Sequence, residues 1–405
     1  MPIVNGSSHM EEDTMDNVSQ ASSIIAPVEQ GRGLSEIVRQ FTPNWFAVTM
    51  GTGVLALALN QFVSTIPSLN RIALALWAFN IVLFALFSML YAARWIFFFN
   101  GARRIFAHSV ASMFLGAIPM GLVTIINGFV VFGIPLWGHA ALTIAYALWW
   151  IDVAMSVACG LLVPFFMFTR QDHRMEKMTA VWLLPIVAGE VAAASGGLLV
   201  PHLPVSEAYN VLVLSYVLWA LSVPLAMSIL VILVLRLALH KLPERDLAVS
   251  GWLALGPIGT GALGLLLLGA DAPRVFAAAG LSSVGDVAFG IGVIGGTILW
   301  GYGAWWLLLA ILKTITHALD SLPFNLGWWG FTFPLGVYSL ATLALAQTMH
   351  VAFFSVVGAV LVTCLAAFWI VVAARTAHGA WHGYLFFAPC LRPGSIPSRF
   401  ELDAV

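Results

Sequence analysis

Four prolines, Pro119, Pro185, Pro257 and Pro334, recur at nearly even intervals in the runs FLGAIPMG, LLPIVAGEVAAASGG, ALGPIGTGALG and WWGFTFPLGV. A proline within a helix removes a backbone N–H and breaks the hydrogen-bond ladder. In hydrocarbon the freed groups are tolerated only against protein or a water-filled space. Unpaired N–H groups at such breaks, helix N-termini and the hydroxyls of Thr49, Thr52, Ser195, Thr260 and Thr332 can hold an anion weakly. No Lys or Arg lies in the middle of any of these apolar runs, and a fixed cation there would bind an anion strongly. Weak holding favours quick release, which fits an anion pathway; the residues alone leave a cation or neutral solute open.

Two acids sit at depth, Asp152 in LWWIDVAMS and Glu190 in VAGEVAAASGG. Intramembrane acids are functional candidates by default. A charged carboxylate would repel a passing anion, so Glu190 is expected to take up a proton and couple it to anion movement. A hydrogen-bonded strut between helices is the competing reading, and for Asp152 the structural one is preferred. Asp286 reads as a first-turn acid favoured by the helix dipole. His378 and His382 lie one turn apart with no third ligand nearby, so they read as interfacial. Cys159, Cys364 and Cys390 are unpatterned free thiols. Cofactors and metal are expected to be absent. No His/acid cluster, Ser/His pair at depth or phosphate-binding Gly-Lys motif supports an enzyme.

The elements that position these residues are membrane helices. Of 405 residues, 61% are hydrophobic and 9% charged, with mean hydropathy +0.96; a soluble domain carries about 25% charged residues. The apolar runs are continuous and long enough to span a bilayer, unlike the alternating strands of a barrel. The reading is an all-α integral membrane protein with spans near 42–62, 70–99, 107–132, 136–168, 178–200, 208–240, 248–270, 283–316, 325–347 and 350–380. Fifteen of the seventeen Lys and Arg residues fall on one side of this arrangement, leaving Arg71 and Arg274 opposite. By the positive-inside rule both termini are cytoplasmic, and Arg39 is read as one such anchor. Residues 1–40 are expected to be a disordered cytoplasmic segment, with GSSHM at 6–10 resembling a tag remnant and no cleavable signal peptide. Residues 41–380 form the membrane domain, and 381–405 a cytoplasmic tail. A net charge of −1 and the absence of a basic tail give no sign of nucleic acid.

Odd-numbered helices carry the prolines and small residues, the first reading PNWFAVTMGTG, whereas even helices are longer and greasier. Five helical hairpins follow, with the odd, kinked helices in an inner ring around a central pore and the even helices outside, facing lipid. Gly-rich helix eight departs from the pattern. Paired tryptophans, such as Trp149 with Trp150 and Trp305 with Trp306, read as interface anchors or hairpin packing.

FTPNWFAVTMGTGVLAL in the first helix, SGG in the fifth and WWGFTFPLGV in the ninth together resemble the tellurite-resistance/dicarboxylate transporter family. It includes tellurite-resistance proteins, malate permeases, sulfite efflux pumps and plant slow anion channels. The resemblance extends over nearly all of residues 40–380. It implies a homotrimer in which five hairpins surround a pore in each subunit, and a phenylalanine before the ninth-helix proline that plugs it. The matching residues are Phe333 and Pro334, and the alternative is that Phe331 and Phe333 both pack in an apolar seam. By position before proline, Ile118, Leu184 and Gly256 are the counterparts of Phe333. The implied function is a permease for small anions, C4-dicarboxylates such as malate or succinate first, in the plasma membrane and of bacterial inner-membrane type. A passive gated anion channel or a sulfite/tellurite exporter is the alternative.

Overall fold

The computed structural model describes residues 33–243, 245–318 and 323–391. Among these it is all helical. Ten long helices follow in order: α1 Phe46–Asn60, α2 Leu69–Phe97, α3 Ala117–Gly128, α4 His139–Thr169, α5 Leu184–Leu199, α6 Val205–His240, α7 Leu255–Ala278, α8 Ser282–Ala318, α9 Phe333–Met349 and α10 Ala352–Trp381. Nine helical stretches among the described residues are long and apolar enough to cross a membrane. The tenth, α1, has 15 α-helical residues after a 3₁₀ turn at Pro43–Trp45. It is short for a span, but its residues are almost all buried in protein.

Burial separates the two sets of helices. In the most apolar stretch of the segments containing α3, α5, α7 and α9, 72–89% of residues are buried, against 17–33% for the even helices. The odd helices pack in sequence, α1 on α3, α3 on α5, α5 on α7 and α7 on α9, and α9 closes on α1. An inner ring of five is therefore enclosed by five outer helices.

The prolines lie nearer the helix starts than the sequence implies. Each inner α-helix is preceded by a 3₁₀ stretch, at Pro43–Trp45, Ala111–Gly116, Ala180–Leu183, Arg245–Ala254 and Leu326–Phe331. Pro119, Pro185, Pro257 and Pro334 fall in the second or third α-helical position that follows. There the missing N–H is one the first turn would leave unpaired in any case. The break in each inner helix is thus a change of helix type at its N-terminal end.

Glycines allow the ring to close. A Cβ on Gly116 would lie 2.3 Å from the Leu184 carbonyl oxygen, across the α3–α5 seam. On Gly259 it would lie 2.7 Å from the Tyr338 nitrogen, and on Gly336 2.5 Å from Val54. These glycines sit between helices, where backbones approach closely.

A second fivefold pattern joins the two rings. Each outer helix carries a tryptophan whose indole N–H donates to the next inner helix around the ring. Trp77 donates to the Ile125 carbonyl at 3.2 Å, Trp149 to Ala192 at 2.9 Å and Trp219 to Gly261 at 2.9 Å. Trp300 donates to Thr342 Oγ1 at 2.8 Å, and Trp369 to Thr52 Oγ1 at 3.1 Å, joining α10 to α1. The first three indoles rest on Gly128, Gly196 and Gly264, which are evenly spaced along the chain. Trp149 is therefore a hairpin tie, the packing half of the sequence expectation.

Two boundaries differ from the sequence reading. Of the segment expected to be disordered, residues 1–32 lie outside the described residues, but Leu34–Gln40 is a helix stabilised by Glu36 bonds to Arg39 at 2.8 Å and to Gln40 at 2.8 Å. Of the expected tail 381–405, Trp381 still belongs to α10 and residues 382–391 pack back on the membrane domain. The Ala388 N–H donates to Gln40 Oε1 at 2.8 Å, Phe386 stacks on Trp45 at 4.8 Å, and the buried Arg94 guanidinium donates to the Phe41 carbonyl and Cys390 Sγ. Replacing Arg94 with methionine orphans the buried Phe41 carbonyl, a cost of about 1–3 kcal/mol. The expected outcome is a lower melting temperature and faster proteolysis after Trp381.

Candidate functional site

Because inner helices alternate with outer ones, all five inner helices run in the same direction and begin at the same end. A cavity of about 350 Å³ opens there. Every inner helix start contributes to its wall: Asn44 and Ala47, Ala111 and Phe114, Val181 and Leu184, Ser250 and Leu253, and Gly327, Trp329 and Gly330. Tyr384, Leu385, Phe387 and Pro389 of the folded-back C-terminal segment complete it. None of the lining residues is charged. Each α-helix N-terminus carries roughly half a positive elementary charge, so five together make the space attractive to an anion without a side chain that would trap it.

Phe333 and Pro334 line this cavity, and Phe333 is 4% exposed. Phe331 is placed differently. Its ring packs against Trp252 at 5.3 Å, Phe368 at 5.1 Å and Trp328 at 5.7 Å. Phe331 therefore occupies the aromatic seam, while Phe333 makes no ring contact among the described residues and stands against open space. Of its counterparts, Leu184 lines the same cavity with Phe333. Ile118 is half-buried, and Pro119, Pro185 and Pro257 are not part of the lining. Gly256 is buried, yet a Cβ placed there would meet nothing within 4 Å.

The five hydroxyls expected along the pathway do not line the cavity. Thr49 and Thr332 donate to their own helix turns, at the Phe46 and Trp329 carbonyls, both at 2.7 Å. Thr52 accepts from Trp369, and Ser195 donates to Asn127 Oδ1 at 2.6 Å. Of the five, only the Thr260 hydroxyl is buried without a hydrogen-bond partner.

Both intramembrane acids are fully buried. Asp152 accepts from Ser156 at 3.4 Å on one oxygen. Glu190 faces Ser222 of α6, but that hydroxyl is given to the Ile186 carbonyl at 2.8 Å, and neither Glu190 oxygen has a hydrogen-bond partner. Arg39 is ion-paired with Glu36 at 2.8 Å and lies outside the cavity lining. The His378 and His382 rings lie 4.2 Å apart, tilted by 40°, and among the described residues no group of three or more His, Cys, Asp or Glu could hold a metal.

The voltage-dependent anion channel family model matches residues 40–377. The chain belongs to that family. It is an anion transporter of a family of channels and transporters, as the sequence resemblance implied. It is 41% identical over 355 residues to a sulfite efflux pump of Arthroderma benhamiae, covering 86% of this chain and 93% of the relative. An uncharacterized transporter of Methanocaldococcus jannaschii is 28% identical over 353 residues, with 87% and 96% covered. A malic acid transport protein of Schizosaccharomyces pombe is 23% identical over 343 residues, with 84% and 78% covered. The family match reaches all ten helices, including the ring of N-termini and the Phe333 wall of the cavity.

Proposed function

We propose that this family member moves small oxyanions, sulfite first and C4-dicarboxylates second, through the space enclosed by its inner ring. Phe333 closes that space, and Glu190 carries a proton with the anion. The observation that carries this reading is the uncharged cavity at which five helix N-termini converge, with the Phe333 ring in its wall. An apolar constriction of that kind gates by dewetting. Sulfite is placed ahead of malate, reversing the order drawn from sequence, because a relative named for sulfite efflux is 41% identical and the one named for malic acid 23%. The Glu190 role is supported by a fully buried carboxyl with no bonding partner. An ion left unpaired there costs several kcal/mol, whereas a neutral carboxyl is tolerated. A homotrimer in the plasma membrane, with the cavity end and both termini cytoplasmic, completes the proposal.

The test is a tracer panel of sulfite, malate, succinate, nitrate and chloride in proteoliposomes. Sulfite is expected to move fastest, by about tenfold over malate, which corresponds to about 1.4 kcal/mol of discrimination. Malate outrunning sulfite restores the dicarboxylate reading. Macroscopic current without accumulation under a pH gradient replaces the coupled carrier with a passive channel.

A further inference from the structure

Thr260 and Glu190 are both buried, both without hydrogen-bond partners, and lie on adjacent inner helices. Their relative height follows from the seam between those helices. A Cβ on Gly264 of α7 would lie 3.8 Å from the Ala194 Cβ, and one on Gly197 of α5 would lie 2.9 Å from the Leu267 Cβ. The helices are parallel, and both contacts join residues separated by the same interval in sequence. That interval carries Glu190, one turn back from Ala194, onto Thr260, one turn back from Gly264. Glu190 is therefore level with Thr260. Thr260 also lies one turn beyond Gly256, on the same face of α7, where a Cβ would meet nothing within 4 Å. Thr260 is thus a buried hydroxyl on α7 that is level with Glu190 and one turn from that space.

We propose that Thr260 is the hydroxyl relay through which Glu190 exchanges its proton with the anion pathway. This rests on the proton-coupled reading of Glu190 above. A hydroxyl both accepts and donates. Thr260 and Glu190 are not hydrogen-bonded to each other here, so the relay requires a side-chain rotation that brings them into contact. A hydronium in the open pathway then passes a proton to Thr260 Oγ1 as the hydroxyl's own hydrogen moves to a Glu190 carboxylate oxygen. The products are water, an unchanged threonine and a neutral carboxyl, and release runs the same steps in reverse. The groups around Glu190 leave few competing routes. From α6 the facing polar side chain is Ser222, whose hydrogen is given to Ile186. From α3, Asn127 is engaged with Ser195. From α4, Asp152 is another buried acid at this depth, between the Trp149–Ala192 bond and the Gly160–Pro185 approach; one of its oxygens accepts from Ser156 at 3.4 Å and the other has no partner.

The experiment measures sulfite uptake driven by a pH gradient at zero membrane potential, in proteoliposomes of the full chain. Thr260→Val, Thr260→Ser, Glu190→Gln and the parent are compared as the ratio of uptake with and without the gradient. Sulfite's own titration is common to all four and cancels between variants. The parent ratio is expected near tenfold per pH unit for one proton per anion. Glu190→Gln and Thr260→Val are expected to fall towards unity, and Thr260→Ser to keep the parent ratio. Size-exclusion profiles identify any variant that has not folded, in which case Thr260→Ala takes the place of Thr260→Val. A valine or alanine variant with the parent ratio beside a flat Glu190→Gln overturns the relay and leaves the coupling. A Glu190→Gln variant with the parent ratio removes both.

Discussion

Phe333→Ala is expected to raise anion flux on the order of tenfold or more. The ring lines the 350 Å³ cavity and makes no ring contact among the described residues. Removing it widens an existing space on the cavity side, although the ring is 4% exposed and its other side packs in the apolar core. An apolar constriction blocks ions because it costs more to strip their hydration than the passage returns. Each ~1.4 kcal/mol removed from that barrier is a tenfold gain in rate. Phe331→Ala is the matched control. Its ring is packed by Trp252, Phe368 and Trp328, so truncation is expected to cost about 3–5 kcal/mol, as for other buried phenylalanines, and to leave the constriction shut. Tracer flux and thermal melting on both variants separate the roles. A parent-like flux for Phe333→Ala removes it as the gate, and a leak through Phe331→Ala places the constriction on the wrong ring.

The division into inner and outer helices was legible because it is written in composition. Prolines and small residues recur once per hairpin, and backbone that leaves a regular helix must be shielded from lipid. The position of Phe333 was legible only through resemblance, since Phe331 and Phe333 are chemically identical and nearly adjacent. What separates them is tertiary: Trp252 and Phe368 arrive from other helices to enclose one ring and not the other. The hydrogen bonds of the hydroxyls were not legible for a related reason. A threonine in a helix donates readily to the carbonyl one turn earlier, as Thr49 and Thr332 do, so residue type overstates how many remain available to an anion. The tryptophan ties share the proline rhythm. Trp77, Trp149, Trp219, Trp300 and Trp369 recur once per hairpin. A lone indole in a membrane helix reads as an interface anchor, however, and its donor role emerges only when the carbonyl or hydroxyl on the next inner helix is in place. The folded-back segment from Gly383 to Leu391 carries no periodicity. Its seat depends on Arg94, far away in sequence, which the charge pattern assigns to orientation.

Gly116→Ala is expected to be among the most destabilising single-methyl changes in the chain, and Gly256→Ala among the most benign. The added atom on Gly116 would sit 2.3 Å from the Leu184 oxygen and 2.8 Å from the Pro185 Cα. Both are backbone atoms, so no side chain can swing away and the α3–α5 seam must part. In a closed ring that displacement cannot be confined to one pair, because moving α5 also loads its contact with α7. Overpacking typically costs about 1–3 kcal/mol and sometimes more, and an immovable backbone partner puts Gly116→Ala at or above the top of that range. At roughly 2–4 °C per kcal/mol for a large domain, the melting temperature should fall by about 5–10 °C. Gly256→Ala adds the same methyl and removes the same backbone freedom from the unfolded chain, worth about 0.4–1 kcal/mol in its favour, but its Cβ meets nothing within 4 Å. The difference between the two melting temperatures therefore isolates the steric cost of the seam. If the two variants melt together, the glycines of the inner ring are not what lets it close, and its width must be set by the outer helices and their tryptophan ties.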